Sequence, residues 1–307
     1  MAKIFIDGSA GTTGLRIAER LEVRQDIELV KLPEELRKDN AARAAALNEA
    51  DVAFLCLPDA AAIEAVGLCT DENTVIIDTS TAHRVADGWD YGFPELEGQK
   101  DKLKNSKRIA NPGCHASGFI SLVAPLVQKG IISEDAKLSA FSLTGFSGGG
   151  KKMIAEYEDE NRDALLKAPR QYGIAQMHKH LPEMKKLCGL QSEPIFCPIV
   201  ADYYAGMEVT VPLFKSDING TIDDIKNAYK EYYKDGLVHF VDSADESGFL
   251  SANAFEGRDD MQITVTGNDD RILLVSRFDN LGKGASGSAI QNMNLILGYP
   301  ESTGLNV

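Results

Sequence analysis

Cysteine is sparse and unpatterned: Cys56, Cys69, Cys114, Cys188 and Cys197 are odd in number, far apart, and include no CxxC pair. That spacing excludes a disulfide framework and offers no zinc ligand set, so no bound metal is expected. Positive charge is in deficit too, with 32 Lys and Arg against 46 Asp and Glu and a formal net charge of -14. A nucleic-acid surface and attraction to an anionic membrane are thereby disfavoured, although a local site for an anionic small molecule is not. No apolar run approaches the ~18 residues of a membrane span. Nor does a basic n-region precede an apolar one: Met1-Ala2-Lys3 leads straight into Ile4-Phe5-Ile6, and the expectation is a soluble cytoplasmic protein. Internal repeats, low-complexity tracts and Pro/Ser-rich linkers are absent. At 307 residues the chain is expected to form two closely joined domains.

What is present begins with a strand, a glycine loop and a helix. Lys3-Ile4-Phe5-Ile6-Asp7 is a short apolar strand, and Leu15 to Leu21 has helical spacing; between them runs Gly8-Ser9-Ala10-Gly11-Thr12-Thr13-Gly14. Glycines there let the backbone approach a pyrophosphate, and the helix start supplies donors. The competing reading is an ordinary tight turn. A second strand, Ile27 to Leu32, ends without the acidic residue that bonds a ribose 2′-hydroxyl, and is followed by Arg37-Lys38. A basic pair there suits a 2′-phosphate, hence NADP; a solvated helix face is the alternative. Asp51 to Pro58 and Asn73 to Thr79 read as buried parallel strands joined by a helix over Ala60 to Cys69. The leading architecture is a doubly wound, Rossmann-like α/β sheet. Beyond the last strand lies Asp78-Thr79-Ser80-Thr81-Ala82-His83-Arg84, where ligands bind in such sheets. Ser80 is assigned to the cofactor and Arg84 to a phosphate or carboxylate, against the simpler reading of Arg84 as a salt-bridged surface residue.

The stretch Asn111-Pro112-Gly113-Cys114-His115-Ala116-Ser117-Gly118 separates a strand, Lys107 to Ala110, from an apolar helix over Phe119 to Val127. Unpaired N–H groups at a helix start favour thiolate, which would make Cys114 a nucleophile rather than a small core residue. From Lys137 onward Leu138 to Thr144 alternates with period two and ends at Ser147-Gly148-Gly149-Gly150-Lys151-Lys152. That loop could wrap an anion, or simply be flexible. Lys152 to Lys167 reads as a charged helix stopped at Pro169. Gln176-Met177-His178-Lys179-His180-Leu181-Pro182-Glu183 follows, and holds two of only five histidines. They are general acid/base candidates; two histidines alone make a poor zinc site, and a polar helix start is the bland reading. On one helix, residues two apart face differently, so only one would reach the sulfur. Strands are expected at Ile195 to Val200, Met207 to Phe214, Met261 to Thr266 and Ile272 to Phe278, with helices at Thr221 to Lys234 and from Asp279-Gly287 through Leu297. This half reads as an α+β domain with a mainly antiparallel sheet.

Taken together, the glycine loop, Asn111-Pro112-Gly113-Cys114, Ser147-Gly148-Gly149-Gly150, His178-Lys179-His180-Leu181-Pro182-Glu183 and Asn280-Leu281-Gly282-Lys283-Gly284-Ala285 resemble N-acetyl-γ-glutamyl-phosphate reductase, in its short form. The wider group includes aspartate-semialdehyde dehydrogenase. His115 and Ser117 depart from the long form, which usually carries an aromatic residue and often Thr there. The resemblance implies NADPH-dependent reduction of an acyl phosphate to an aldehyde through a thioester on Cys114, in arginine synthesis. It implies His180, or else His178, as acid/base, Gly8, Ser9, Gly11, Thr12, Thr13 and Gly14 at the cofactor, and Arg84, Asn111, Ser147, Gly148 and Gly149 at the substrate. Lys179 or Arg108 would hold the substrate α-carboxylate. Residues 1–114, joined by a closing helix at 283–307, would form the NADP domain, and 115–282 the catalytic and oligomerisation domain. The expected partners are a small acyl phosphate and further copies of the chain, as a dimer or tetramer. Activity on aspartyl phosphate and a non-catalytic NADP-binding regulator remain the alternatives.

Overall fold

The computed structural model describes residues 1–307. Two compact units are present: residues 1–94, 98–112 and 285–305 form the first, and 95–97, 113–284 and 306–307 the second. The first carries strands β1 (Ala2–Asp7), β2 (Ile27–Val30), β3 (Val52–Leu55), β4 (Val75–Asp78), β5 (Asp90–Tyr91) and β6 (Arg108–Ala110), in spatial order β2-β1-β3-β4-β6-β5. Every neighbouring pair is parallel. The order reverses at β1, which places a topological switch point between β1 and β3, beside the glycine loop.

Alternate residues of these strands feed two separate cores. Ile4, Ile6, Val52, Phe54 and Ile77 join Ile17 and Leu21 of α1 (Thr12–Glu22) on one face. Phe5, Ala53, Leu55 and Ile76 join Ala46 and Leu47 of α2 (Asn40–Glu49) and Ala62 and Ala65 of α3 (Asp59–Leu68) on the other. Apolar runs read as buried strands are therefore covered on both sides, as a doubly wound sheet requires. The short helix α4 (Gln99–Leu103) completes this part of the chain.

The second unit is built on α5 (Cys114–Gln128) and a sheet of β7 (Ser139–Gly145), β8 (Arg170–Gln171), β9 (Ile195–Ala201), β10 (Met207–Phe214), β11 (Val238–Phe240), β12 (Met261–Gly267) and β13 (Arg271–Phe278), in order β11-β12-β13-β10-β7-β9-β8. It is mixed: β7–β9 and β11–β12 are parallel, the other four pairs antiparallel. The remaining helices are α6 (Gly150–Glu158), α7 (Leu181–Cys188) and α8 (Ile222–Tyr232); α9 (Gly287–Ile296) returns to the first unit, where Ile290 and Met293 enter its core. No helix is long and apolar enough to cross a membrane.

Helix α5 lies close to the sheet because residue 118 has no side chain. A Cβ there would fall 2.9 Å from both Phe278 Cε1 and Ser276 Oγ, and nearer still to Val209 Cγ2. Pro125 lies inside α5 and cannot donate to Ser121 O four residues back. That carbonyl instead accepts from Tyr233 Oη at 2.6 Å. The opposite sheet face is open in part: Phe141, Ile195, Phe214 and Leu273 are exposed on it, whereas Val275 and Arg277 are buried.

Two expectations need correction. The charged helix over Lys152 to Lys167 stops at Glu158, and a separate 3-10 turn covers Ala164–Lys167. Local polar side chains break it: Asp159 Oδ1 accepts from Asn161 N at 2.7 Å, Asp163 Oδ1 from Leu165 N at 2.9 Å, and Arg162 Nη1 donates to Tyr157 O at 2.6 Å. The helix read over Phe119 to Val127 starts earlier, at Cys114 itself.

Candidate active site

Gly113 is the extended N-cap of α5, with φ -79° and ψ 141°, and Cys114 is the first helical residue. No side chain caps this helix and its first turn holds no acidic residue. Donors and partial positive charge are thus directed at the half-buried Cys114 thiol. Behind it, Gly113 N donates to Glu183 Oε2 at 3.1 Å, and Gly113 O accepts from Ser117 N at 2.8 Å. Gly284 has to be glycine here, because a Cβ on it would lie 2.9 Å from Cys114 Cβ. By contrast, burial pushes the Cys188 thiol far up, which leaves it unreactive.

The two histidines of the second motif are not successive residues of a helix, so the expectation that they face apart is corrected. His180 is the N-cap of α7 and His178 lies ahead of it, with their ring centroids 4.7 Å apart. Both converge on His115, at 5.7 Å and 5.5 Å. His178 Nδ1 accepts from His180 N at 3.2 Å, which leaves Nε2 to act as donor. His180 Nε2 is 3.9 Å from the buried Glu183 Oε1. His115 bridges two hydroxyls: Nδ1 is 2.6 Å from Ser142 Oγ and Nε2 is 2.6 Å from Tyr172 Oη. Burial, reinforced by the nearby charges of His178 and Lys179, pulls the His115 pKa down to about 3. Burial raises the Tyr172 phenol, and negative charge on Cys114 raises it further. Tyr172 and Ser142 belong to no motif in the sequence; their only trace is period-two placement in Ser142 and none in Tyr172.

In the glycine-rich loop, buried Ser147 accepts from Asn280 Nδ2 at 3.0 Å, while Asn280 Oδ1 accepts from Gly206 N at 2.9 Å. Gly148, Gly149 and Lys151 are exposed beside it, as is Lys179 in the histidine motif.

In the first unit, Gly8 has φ +87°, and a Cβ on it would meet the Cys56 carbonyl carbon at 2.8 Å. Helix α1 is N-capped by Gly11 with no side-chain bond and no acidic residue in its first turn. This helix start, with Ser9, Thr12 and Thr13 part-exposed around it, fits a pyrophosphate; Gly14 is corrected, being buried, where a Cβ would meet Ser9 Cα at 3.0 Å, so that it serves the close packing of α1 on β1 rather than the cradle. Arg37 and Lys38 are exposed after the 3-10 turn Glu34–Leu36 that follows β2. Sequence reading missed Arg43, whose Nε donates to Asp7 Oδ2 at 3.0 Å and whose Nη1 donates to Asn40 Oδ1 at 2.9 Å. Burial raises Asp7, with Arg43 opposing.

Several assigned side chains are committed elsewhere. Ser80 Oγ donates to buried Asp78 at 2.7 Å, and His83 Nδ1 lies 2.6 Å from the same carboxylate while stacking on Trp89. Ser80 thus holds the strand end in shape. Asn111 is also a positioning residue: Nδ2 donates to Ala285 O at 3.0 Å and Oδ1 accepts from Asn292 Nδ2 at 3.4 Å. Arg84 is half-buried, with Nε donating to Asn111 O at 3.0 Å and Nη2 to Thr79 O at 3.3 Å. Arg108 is corrected outright. Its Nη1 donates to Thr74 O at 3.0 Å and Lys107 O at 2.8 Å, at the start of β4 and β6 rather than at their carboxyl ends.

Residues 3–106 match the family described as semialdehyde dehydrogenase, NAD binding domain, and 114–280 match semialdehyde dehydrogenase, dimerisation domain. N-acetyl-gamma-glutamyl-phosphate reductase 2 of Nostoc sp. is 44% identical over a 318-residue alignment that covers 99% of each chain. The relatives of that name from Sinorhizobium medicae (96% of this chain, 98% of theirs) and Brucella ovis (96% and 99%) are also 44% identical. Aspartate semialdehyde dehydrogenase II of Vibrio cholerae, solved with ASA, has a TM-score of 0.72 at 16% identity over 97% of this chain and 98% of that one. The Candida albicans enzyme, solved with NADP, has a TM-score of 0.67 at 15% identity, again covering 97% and 98%. The fold is therefore that of the semialdehyde dehydrogenases, and the chain belongs to the N-acetyl-gamma-glutamyl-phosphate reductase family.

Proposed function

We propose that this protein reduces N-acetyl-γ-glutamyl phosphate to N-acetylglutamate 5-semialdehyde and phosphate with NADPH, in the cytoplasm, as a step of arginine synthesis. The observation that carries the reading is Cys114 at the start of α5, where no side chain caps the helix, followed directly by His115, on whose ring those of His178 and His180 converge. A carboxylate accepts hydride poorly, whereas an acyl phosphate carries a leaving group. Cys114 Sγ attacks the acyl carbon, the C–S bond forms, the C–O bond to phosphate breaks, and phosphate departs. NADPH, when bound at the cradle of residues 8–13, supplies the hydride that takes the thioester to the aldehyde level. Collapse of the thiohemiacetal then breaks the C–S bond and returns the thiolate.

In both attacks negative charge develops on oxygen, for which the Cys114 N–H and His178 Nε2 are the donors. His180, held beside Glu183, is the acid/base. Ser147, Gly148, Gly149 and Lys151 receive the phosphate, and Lys179 the α-carboxylate. Unit one is the NADP domain, where Arg37 and Lys38 meet the 2′-phosphate, and unit two the catalytic domain. The partly open sheet face carrying Phe141, Ile195, Phe214 and Leu273 supports burial against a second copy, as a dimer or a tetramer built from it.

The reverse reaction tests this: N-acetylglutamate semialdehyde, phosphate and NADP are mixed with enzyme and NADPH absorbance is followed. Phosphate-dependent turnover that disappears in Cys114→Ser is expected. Preference for aspartate semialdehyde would move the substrate, and NADPH binding without turnover of either aldehyde would make the chain a regulator.

A further inference from the structure

The loop between β8 and α7 carries both motif histidines, and one of its residues stands out. Gln176 has φ +54°, one of two non-glycine residues with positive φ in the chain. That conformation is unfavourable for a side chain with a Cβ and persists only where other contacts enforce it. Here the enforcing contact is the side-chain amide. Nε2 donates to Phe196 O at 2.8 Å, and Oε1 accepts from Phe196 N at 2.9 Å.

The pairing has a reason in the sheet. On one side β9 is bonded to β7, with Ile195 N donating to Leu138 O at 2.9 Å. On its other side β8 supplies only Arg170 and Gln171, opposite Val200 and Ile199, and Tyr172 N then donates to Pro198 O at 3.0 Å. The next outward-facing backbone groups are those of Phe196, an edge position that would otherwise present an N–H and a C=O to solvent. Gln176 closes that gap with its amide, and so acts as one further rung after β8 ends. The Phe196 ring in turn lies 5.1 Å from His178 and 5.3 Å from His115.

We infer that Gln176 is a positioning residue for the reaction: by docking its amide on the free edge of β9 it registers His178 and His180 against Cys114. This inference rests on the proposed thioester chemistry. Met at 176 would keep the length of the side chain and lose both bonds. Asn would tolerate positive φ but be one methylene too short to span the N–H and C=O together.

The test uses full-length enzyme with Gln176→Met and Gln176→Asn. Three quantities are read: kcat and KM in the semialdehyde assay, the pH profile of iodoacetamide alkylation at Cys114 with a Cys114→Ser sample subtracted, and the thermal midpoint. Displacement of catalytic groups by about an ångström costs roughly 100-fold, so a 10- to 100-fold loss in kcat with KM within threefold is expected. The alkylation profile should move to higher pH in both variants, with the thermal midpoint nearly unchanged. Wild-type kcat and alkylation profile in both variants would overturn the assignment. So would losses that merely track the fraction unfolded. Failure of the underlying reading has a different signature, namely wild-type enzyme that turns over no aldehyde or whose Cys114 shows no enhanced reactivity.

Discussion

Acidification from pH 7 to 5 should cost this protein stability through His115 in particular. The imidazole is buried among Ser142, Tyr172, His178, His180 and Phe196, and its pKa falls from 6.5 to about 3 on folding. Because the folded value is depressed, the unfolded chain binds the extra proton between those limits. The stabilisation is therefore complete above pH 6.5 and is lost as pH falls toward 3. At pH 5 an unfolded histidine is almost fully protonated, which gives a loss of about 2 kcal/mol relative to pH 7. His115→Gln abolishes the titration while keeping a polar group in reach of Tyr172. It should be less stable than wild type at pH 7 by about 1–3 kcal/mol, since a buried hydroxyl loses its partner. Urea unfolding followed by circular dichroism at pH 7, 6 and 5, at one protomer concentration, measures both. Wild type should lose about 2 kcal/mol more than the variant between the end points. Parallel pH dependence in the two proteins would refute the neutral, buried histidine.

Two further substitutions probe the helix that carries the nucleophile. Gly118→Ala drives a methyl into Val209, Phe278 and Ser276, and should lower stability by about 1–3 kcal/mol, read as a fall in urea midpoint; an unchanged midpoint would mean that α5 is not seated tightly on the sheet. Tyr233→Phe strips the hydroxyl that donates to Ser121 O in place of the missing Pro125 N–H, and should cost about 1–3 kcal/mol. Tyr229→Phe should cost less, because Leu122 O, its acceptor at 2.5 Å, already has the helical donor four residues on; equal losses would sink the proline argument.

Much of this was legible in the residues, for reasons that can be named. Val52 to Leu55 and Val75 to Asp78 are apolar without alternation because both faces of their sheet are covered, and Met207 to Phe214 alternates because only one face is. Gly8 and Cys114 announced themselves because local backbone chemistry places them, at a strand end and a helix start. Segments of two or three residues, such as Asp90–Tyr91, Arg170–Gln171 and Val238–Phe240, leave no periodicity to detect. Tyr172 and Ser142 were invisible as a pair, since 30 positions of chain separate side chains that meet only through His115. Arg108 and Asn111 misled because residue type alone cannot tell a ligand-facing side chain from one bonded to neighbouring backbone.

His115 between Ser142 and Tyr172 has a consequence for proton traffic. An uncharged imidazole has one N–H, and both of its nitrogens have a hydroxyl within 2.6 Å. With the proton on Nε2, Tyr172 accepts from the ring and its own O–H is turned outward as a donor. With the proton on Nδ1, Tyr172 donates to the ring and turns a lone pair outward. The two arrangements have the same net charge and the same heavy-atom positions, so moving between them needs only hydrogens to shift. A catalytic cycle that first sheds an anionic leaving group and then protonates an oxygen thus has beside it a hydroxyl whose polarity is reversible without ionisation.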